Sequence, residues 1–338
     1  MERTGRINSI DNLKGILIFL VVLGHLALPI YGYTDSLYAM YRIIYLFHMP
    51  LFIFISGFLA KGIFKNGKLN IDRILSMFAL SIIYKVLIRL LESGLSVDYF
   101  LNEIFYFSSV PWYLFSLATW YCLVPVFNRL KPIPAIALSV VLALLVGFYS
   151  PIGMMFSVSR TFVFLPYFLL GYYCKREQFL AIKNHKVINT TICLITLILT
   201  LWLLYTNFGA IRKFFYLVYG ACRYEKDDLL NGVLGRSCFY VLAILYSISM
   251  IIITPQRKLP ILSYVGEHTL QIFVIHRFIR TLLEYIGFYD LPILNQNIPS
   301  AIIMIIVTSI VVAISLIPVF GRMINAMMQL KWKLSTSD

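Results

Sequence analysis

Residues 12–31 read NLKGILIFLVVLGHLALPIY, an apolar run in which Lys14 and His25 are the basic residues. A membrane-spanning helix needs about 20 consecutive apolar residues, and this run has that length. The run lacks the small-residue cleavage pattern that ends a secretory signal peptide. It therefore predicts a retained transmembrane helix near the start of the chain.

Runs of the same kind recur along the chain, each bounded by charge, Pro or Gly. With the first run they predict spans at 12–31, 39–60, 74–91, 111–127, 134–150, 160–174, 187–206, 237–254, 261–283 and 299–320. We expect an all-α integral membrane bundle of about ten transmembrane helices. Residues 1–338 are expected to form a single transmembrane domain, with no separate soluble domain.

The composition excludes a water-soluble globular protein. Of the 338 residues, 60% are hydrophobic and 13% are charged, whereas a soluble domain carries about 25% charge. The net charge of +14 does not indicate binding to nucleic acid, because the basic residues lie in loops between apolar runs and not on one exposed face. The five cysteines form no CxxC pair, so no disulfide framework, zinc site or other metal site is expected.

The charges of the loops predict the orientation of the chain. If the N-terminus is cytoplasmic, the inner segments hold seventeen Lys and Arg residues, and the outer loops hold four, all within 207–236. Cytoplasmic loops of membrane proteins are enriched in Lys and Arg. Both termini are therefore predicted to be cytoplasmic.

Several ionisable residues lie inside the predicted spans, where a charge costs about 2.5 to 3.5 kcal/mol at the bilayer centre. Arg89, Arg236 and Arg280 lie near predicted ends, where long side chains reach the interface by snorkelling. The deeper residues are candidates for function: Lys14, His25, Arg42, His48, Lys85, Arg160, Glu267 and His276.

Lys14 and His25 are predicted to share one face of the first helix. Eleven residues turn the helix by roughly 1,100°, close to three full turns, and separate the two side chains by about 16 Å along the axis. One groove can therefore hold both side chains. Asp11 lies one turn before Lys14, and we expect it to pair with that lysine or to orient it. The alternative for the two residues is a snorkelling lysine and a histidine bonded to a nearby carbonyl.

The second and ninth spans each carry a histidine. In the second span, Pro50 frees a backbone carbonyl one turn earlier, and Ser56 and Gly57 permit close contact between helices. His48 lies near the middle of this span, either as a helix-packing hydrogen-bonding group or as a site residue. In the ninth span, His276 lies at a depth similar to that of His25.

Five blocks of sequence between residues 11 and 276 form a recognisable series. They are DNLKG (11–15) with VLGH (22–25), FHMP (47–50) with SGF (56–58), PWYL (111–114), RT (160–161) with Pro166 and GY (171–172), and SYVG (263–266) with TL (269–270) and IH (275–276). In this order they resemble membrane-bound acyltransferase family three, most closely its fucose 4-O-acetylase-like branch.

The resemblance implies a ten-helix O-acyltransferase in the plasma membrane of a bacterium. Such an enzyme takes an acyl group, here expected to be acetyl, from cytoplasmic acyl-CoA and transfers it to a hydroxyl of a carbohydrate or lipid-linked glycan. In the family an Arg commonly precedes the essential His by eleven positions, and here Lys14 precedes His25. Lysine keeps the charge but loses the two-pronged geometry with which arginine binds phosphate.

The resemblance and the predicted depths together suggest roles for individual residues. An imidazole titrates near pH 6.5, so His25 is suited to act as general base, with a covalent acyl-imidazole as the alternative. The remaining assignments are oxyanion stabilisation by His48, Arg160 or Trp112; binding of acetyl-CoA by Lys14, Asp11 and Arg73; and binding of the acceptor by Arg42, Trp112, Tyr113 and His276.

A second functional class is a glycan or small-anion exporter, because a bundle with buried cations also describes a transporter. No internal repeat of the kind found in transporters is visible, although Pro50 and Pro166 interrupt spans. A channel or sensor without chemistry is disfavoured by the ordered blocks. The oligomeric state is not predicted.

Overall fold

The computed structural model describes residues 7–65, 68–93, 111–148 and 155–332. Its α-helices are α1 (Asn8–Ala27), α2 (Asp35–Leu59), α3 (Ile71–Ser93), α4 (Trp112–Phe127), α5 (Pro132–Leu145), α6 (Val158–Tyr173), α7 (Arg176–Ala181), α8 (Lys186–Tyr205), α9 (Gly209–Arg212), α10 (Leu229–Ile253), α11 (Pro260–Glu267), α12 (Thr269–Tyr285), α13 (Asn297–Ser315) and α14 (Pro318–Met328). Short strands β1 (Phe64–Lys65) and β2 (Lys68–Leu69) pair antiparallel.

The predicted apolar runs lie on helices, which confirms an all-α membrane protein. By length and composition, six helical segments of the described chain can cross a membrane: Asn8–Ala27, Asp35–Ile63, Ile71–Glu92, Lys186–Tyr205, Lys226–Ile253 and Asn297–Ser315. Shorter apolar segments are Trp112–Phe127 and Pro132–Phe148. The last two residues of the predicted run 134–150 lie outside the described residues. The count of ten spans stays a prediction.

Three boundaries differ from the sequence prediction. The run 261–283 is broken at His268. The backbone N–H of His268 donates a hydrogen bond to the carbonyl of Val265, and this tight turn ends α11. The last run ends at Ser315 because Pro318 begins a new helix and lacks the N–H that would continue the old one. Helix α10 begins at residue 229 and not at 237, which places Arg236 well inside the helix.

Helix α1 lies at the centre of the bundle and α8 at its edge. Of the most apolar stretch of each helix, 72% is buried in α1 and 11% in α8. Helix α1 packs against α2, α11, α12 and α13, while α2 also packs against α6 and α10. The side chains of α1 therefore contact several other helices, and those of α8 are left to face lipid.

Glycines set the closest approach between α1 and α11. A Cβ atom on Gly15 would lie 2.2 Å from the carbonyl oxygen of Leu262, and a Cβ atom on Gly266 would lie 1.9 Å from that of Asp11. Both separations are far shorter than a van der Waals contact. The two helices therefore cross with backbone against backbone, as small residues permit inside membranes.

A second glycine pair joins α2 to α6 and confirms the close contact predicted at Gly57. A Cβ atom on Gly57 would lie 2.0 Å from the carbonyl oxygen of Phe168, and one on Gly171 would lie 1.9 Å from that of Phe54. This contact fixes the face that α2 presents to the interior of the bundle.

Replacing Gly57 by alanine is expected to force α2 and α6 apart. Added atoms in a packed interior cost about 1 to 3 kcal/mol, and here the obstacle is backbone and not a movable side chain. The Gly57→Ala protein should show a lower thermal unfolding midpoint in detergent than the natural protein. Gly209→Ala is the matched control, because a Cβ atom there meets no atom within 4 Å. Equal midpoints for the two variants would contradict the close packing of α2 and α6.

The prediction that Arg236 snorkels to the interface is wrong. The side chain is only 2% exposed and donates hydrogen bonds to the carbonyls of Ala143 and Cys222, each at 2.9 Å. Its guanidinium also lies 4.7 Å from the ring centroid of Tyr224. Arg236 therefore holds α10 against the end of α5 and against the loop that precedes α10.

Candidate active site

A cavity of about 290 Å³ lies beside the C-terminal half of α1 and brings together residues from five helices and one loop. We call it the His25 cavity. It includes all three predicted catalytic side chains, His25, His48 and Arg160, together with Trp112. Its other polar and aromatic lining residues are Tyr41, Tyr45, Phe164, Tyr219, Phe273, Arg277 and Arg280.

His25 and His276 form a direct pair, although 251 positions separate them in the sequence. The Nδ1 atom of His25 lies 2.9 Å from the Nε2 atom of His276, and the two rings are parallel to within 6°. The Nδ1 atom of His276 lies 2.9 Å from the carbonyl oxygen of Ile272. His276 thus links His25 to the backbone of α12.

These contacts assign the tautomer of both rings in their neutral forms. A carbonyl oxygen only accepts, so Nδ1 of His276 carries the proton and its Nε2 atom accepts a hydrogen bond. The donor to that Nε2 atom is Nδ1–H of His25, which leaves the lone pair on Nε2 of His25. This Nε2 atom has no hydrogen-bond partner among the described residues, and the half-buried ring lines the cavity. It is the atom that can take a proton from a substrate.

His48 is held by its own helix. Its Nδ1 atom lies 2.7 Å from the carbonyl oxygen of Ile44 and donates to it, which leaves Nε2 as an acceptor in the neutral ring. A neutral His48 therefore cannot donate a hydrogen bond from Nε2 to an oxyanion. This bond lies within α2 and does not join two helices, and the ring lines the His25 cavity.

Arg160 and Trp112 lie together on the wall of the cavity. The Nε atom of Arg160 donates to the carbonyl of Tyr219 at 3.2 Å, and its guanidinium lies 5.2 Å from the ring centroid of Trp112. The positive charge is therefore positioned by a loop carbonyl and an aromatic face.

Two arginines of the cavity were not among the predicted site residues. Arg277 pairs with Glu92 of α3, and its Nη1 atom is buried with no hydrogen-bond partner among residues 7–65, 68–93, 111–148 and 155–332. Arg280 pairs with Glu284 at 2.7 Å and was expected to snorkel, but it lines the cavity. Arg280 follows His276 by four residues and therefore lies on the same helix face. This spacing is visible in the sequence and could have identified Arg280 as a site residue.

A second cavity, of about 230 Å³, lies beside the beginning of α1. We call it the Lys14 cavity. Lys14 and Arg73 both line it, so the structure brings together the two cations that we assigned to acetyl-CoA. Asp11 lies 3.4 Å from the Nζ atom of Lys14, which confirms the predicted pairing. The remaining lining is mostly apolar or aromatic.

Neighbouring residues Trp112 and Tyr113 face different cavities. Trp112 lines the His25 cavity, whereas Tyr113 lines the Lys14 cavity and donates its hydroxyl proton to Ser56 at 2.7 Å. Phe273 of α12 lines both cavities. Its ring centroid lies 5.4 Å from that of Tyr113 and 6.1 Å from that of His276. The Phe273 side chain therefore forms a shared wall between the two cavities.

Arg42 lies apart from both cavities. It lines an open polar cavity of about 610 Å³ together with residues 31–35 and Asn297. We call this cavity the vestibule. Arg42 and Tyr41 are adjacent on α2, and Tyr41 lines the His25 cavity. The vestibule thus lies next to the His25 cavity, at the end of the bundle opposite Lys14.

Comparison with known proteins identifies the family of the chain. The profile of acyltransferase family three, described as an acyltransferase domain, matches residues 7–318. A 57-residue segment is 56% identical to Nodulation protein NolL of Sinorhizobium fredii (strain NBRC 101917 / NGR234) and covers 16% of each chain. A segment of 57 residues is 51% identical to Nodulation protein NolL of Mesorhizobium japonicum (strain LMG 29417 / CECT 9101 / MAFF 303099), covering 16% of this chain and 15% of the relative. The chain thus covers about one sixth of the length of these relatives.

No solved structure matches the chain. The match of the family profile includes all five sequence blocks, the whole lining of the His25 cavity and, apart from Met328, that of the Lys14 cavity. The placement in the fucose 4-O-acetylase-like branch stays a prediction. The chain belongs to acyltransferase family three, and it is a multi-pass membrane protein of that family.

Proposed function

We propose that this protein is a membrane O-acetyltransferase that transfers an acetyl group from acetyl-CoA to a hydroxyl of a carbohydrate or lipid-linked glycan. The observation that carries the proposal is the available Nε2 atom of His25, fixed by His276 at a cation-lined cavity. We further propose ten spans, both termini in the cytoplasm and a location in a bacterial plasma membrane. The excess of basic residues in the predicted inner loops supports this orientation.

Acetyl-CoA enters this scheme through the Lys14 cavity. Lys14 and Arg73 attract the phosphates of CoA, and Asp11 orients the ammonium group of Lys14. The pantetheine arm spans about 14 to 18 Å when extended, and Lys14 and His25 are separated by about 16 Å along α1. The arm therefore places the thioester beside Phe273 and within reach of His25.

The transfer step uses the tautomer assigned above. Nε2 of His25 takes the proton of the acceptor hydroxyl while the hydroxyl oxygen attacks the thioester carbonyl. The tetrahedral oxyanion is stabilised by Arg160 and by the unpartnered Nη1 atom of Arg277. Collapse of the intermediate breaks the carbon–sulfur bond, and the departing thiolate receives the proton held by His25. The products are an acetyl ester and CoA thiol.

The geometry changes three of our assignments. Both ring nitrogens of His276 are engaged, so it positions His25 and does not bind the acceptor. Tyr113 lies beside the donor arm in the Lys14 cavity, while Trp112 keeps the role of stacking on a sugar ring. His48 offers an acceptor atom, which suits a second hydroxyl of the sugar better than an oxyanion.

The decisive experiment is to incubate purified protein with labelled acetyl-CoA and candidate glycans. Release of CoA thiol that requires the glycan, with label recovered on the glycan, would support the acetyltransferase. Movement of glycan across vesicles without consumption of acetyl-CoA would contradict it and favour the exporter.

Replacing Lys14 by alanine is expected to raise the KM for acetyl-CoA about tenfold, because a charged hydrogen bond contributes about 1.5 to 3 kcal/mol. The KM for the acceptor should change little. Lys258→Ala is the control, since Lys258 is an exposed basic residue near the start of α11 that lines neither cavity. Initial rates at varied acetyl-CoA concentration measure the effect. An unchanged KM for acetyl-CoA would place the phosphates elsewhere.

A further inference from the structure

The vestibule is built differently from the two other cavities. Its volume is about 610 Å³, and hydroxyl, amide and guanidinium groups form much of its lining. Among its lining residues are Thr34, Tyr38, Arg42, Asn207, Arg212 and Asn297. Such a combination of amides, hydroxyls and aromatic rings suits a polar ligand.

Arg42 is buried in the wall of this vestibule with unused hydrogen-bonding capacity. The residue is only 8% exposed, and its Nε and Nη1 atoms have no hydrogen-bond partner in the described part of the chain. The guanidinium carbon lies 4.2 Å from the ring centroid of Tyr38 and 4.3 Å from that of Phe215. The two aromatic faces attract the positive charge of Arg42. They do not replace the hydrogen bonds that its N–H groups would donate to oxygen atoms.

The charge of Arg42 is also not balanced by an ion pair. Among the described residues, no carboxylate lies within 4 Å of its guanidinium, which differs from the pairing of Arg277 with Glu92. Asp35 lines the same vestibule without pairing with Arg42, and exposed Arg212 adds a second positive charge to the lining. A buried cation without a partner is costly, and an anionic ligand would remove that cost.

We infer that the vestibule binds an acidic group, a carboxylate or a phosphate, carried by the acceptor. This inference rests on the proposed function and adds the chemical class of the substrate. Arg42 supplies unused N–H donors on two nitrogen atoms, Nε and Nη1, from the wall, and Arg212 supplies an exposed positive charge. Planar donors of this kind match the oxygens of carboxylate and phosphate.

The vestibule is close enough to the His25 cavity for one acceptor to occupy both. Tyr31 of the vestibule stacks on Tyr41 of the His25 cavity, with ring centroids 4.5 Å apart. Arg42 and His48 are six residues apart on α2, which is about 9 Å along the axis. An acceptor held by its acidic group at Arg42 can therefore extend a neighbouring sugar into the His25 cavity.

Direct binding to the natural chain in lipid nanodiscs, without acyl-CoA, tests this inference. The probes are an oligosaccharide that ends in glucuronic acid, its carboxyl-reduced counterpart and a short-chain prenyl diphosphate. Calorimetry gives the dissociation constant for each probe at low and high salt. The variants are Arg42→Gln and Arg212→Gln, and the second lies at an exposed position where folding is insensitive to the change. The matched control is Lys213→Gln, because Lys213 is already paired with Asp228 and does not line the vestibule.

We expect at least one acidic probe to bind at least tenfold more tightly than the carboxyl-reduced sugar, with an affinity that falls as salt rises. Arg42→Gln and Arg212→Gln should each weaken that binding, and Lys213→Gln should not. The acidic probe that binds shows whether the anion is a sugar carboxylate or a lipid-linked phosphate. Equal binding of all three probes, or no effect of Arg212→Gln, would overturn the inference. Binding is measured without acetyl-CoA, so a failure of acetyl transfer alone would count against the proposed function and not against the anion site.

Discussion

Replacing His25 by alanine is expected to reduce acetyl transfer by at least about 100-fold, because positioned general bases contribute about 10² to 10⁴ in rate. The pairing with His276 leaves the lone pair of this ring on Nε2, in a cavity whose lining includes cations, aromatic rings and a second histidine, His48, that is bonded to the backbone of its own helix. Single-turnover release of CoA thiol from labelled acetyl-CoA, in the presence of acceptor, measures the loss. The fold should be retained, because the ring is half-buried at the edge of a cavity.

His185→Ala is the matched control for this experiment, since His185 is exposed just before α8 and lines neither cavity. Two changes at His276 separate positioning from direct chemistry. His276→Leu should slow transfer and change its pH profile, while His276→Gln should restore part of the rate, because an amide can accept from His25 and donate to Ile272. Normal transfer by His25→Ala would remove this residue from the mechanism.

Replacing Phe273 by leucine is expected to open the wall between the two cavities. The ring lines both of them and lies beside Tyr113 and His276. Water would then reach a thioester that the intact site shields, because closed sites prevent side reactions such as hydrolysis. We expect hydrolysis of acetyl-CoA without acceptor to rise about tenfold while transfer to the acceptor falls. Leucine is chosen over alanine, since Phe to Ala in a core costs about 3 to 5 kcal/mol.

Phe278→Leu is the matched control, because Phe278 is on the same helix, packs against Tyr84 and lines neither cavity. The measurement compares thiol release with and without acceptor, together with the label on the glycan. Tight coupling between thiol release and transfer in Phe273→Leu would mean that Phe273 does not separate the donor from water.

Much of the fold was accessible from local sequence. Apolar runs predicted the helices, and the eleven-residue spacing of Lys14 and His25 placed both residues along the central helix α1. The glycine and serine at 56–57 predicted a close helix contact that the structure confirms. These features follow from helix periodicity and from the cost of polar groups in a bilayer, and both are properties of a short segment.

Other parts of the site depend on which helix faces which. The pairing of His25 with His276, the shared wall at Phe273 and the separation of Trp112 from Tyr113 all join segments that are distant in the chain. Local hydropathy assigns a residue to the membrane, but it contains no information on the rotation of one helix against another. That rotation is set by backbone contacts between distant glycines, such as Gly15 and Gly266 in the crossing of α1 and α11. The sequence by itself therefore determined the helices and the candidate base, and only the tertiary structure decided which neighbours give that base its tautomer and its place in a cavity that shares the Phe273 wall with the Lys14 cavity.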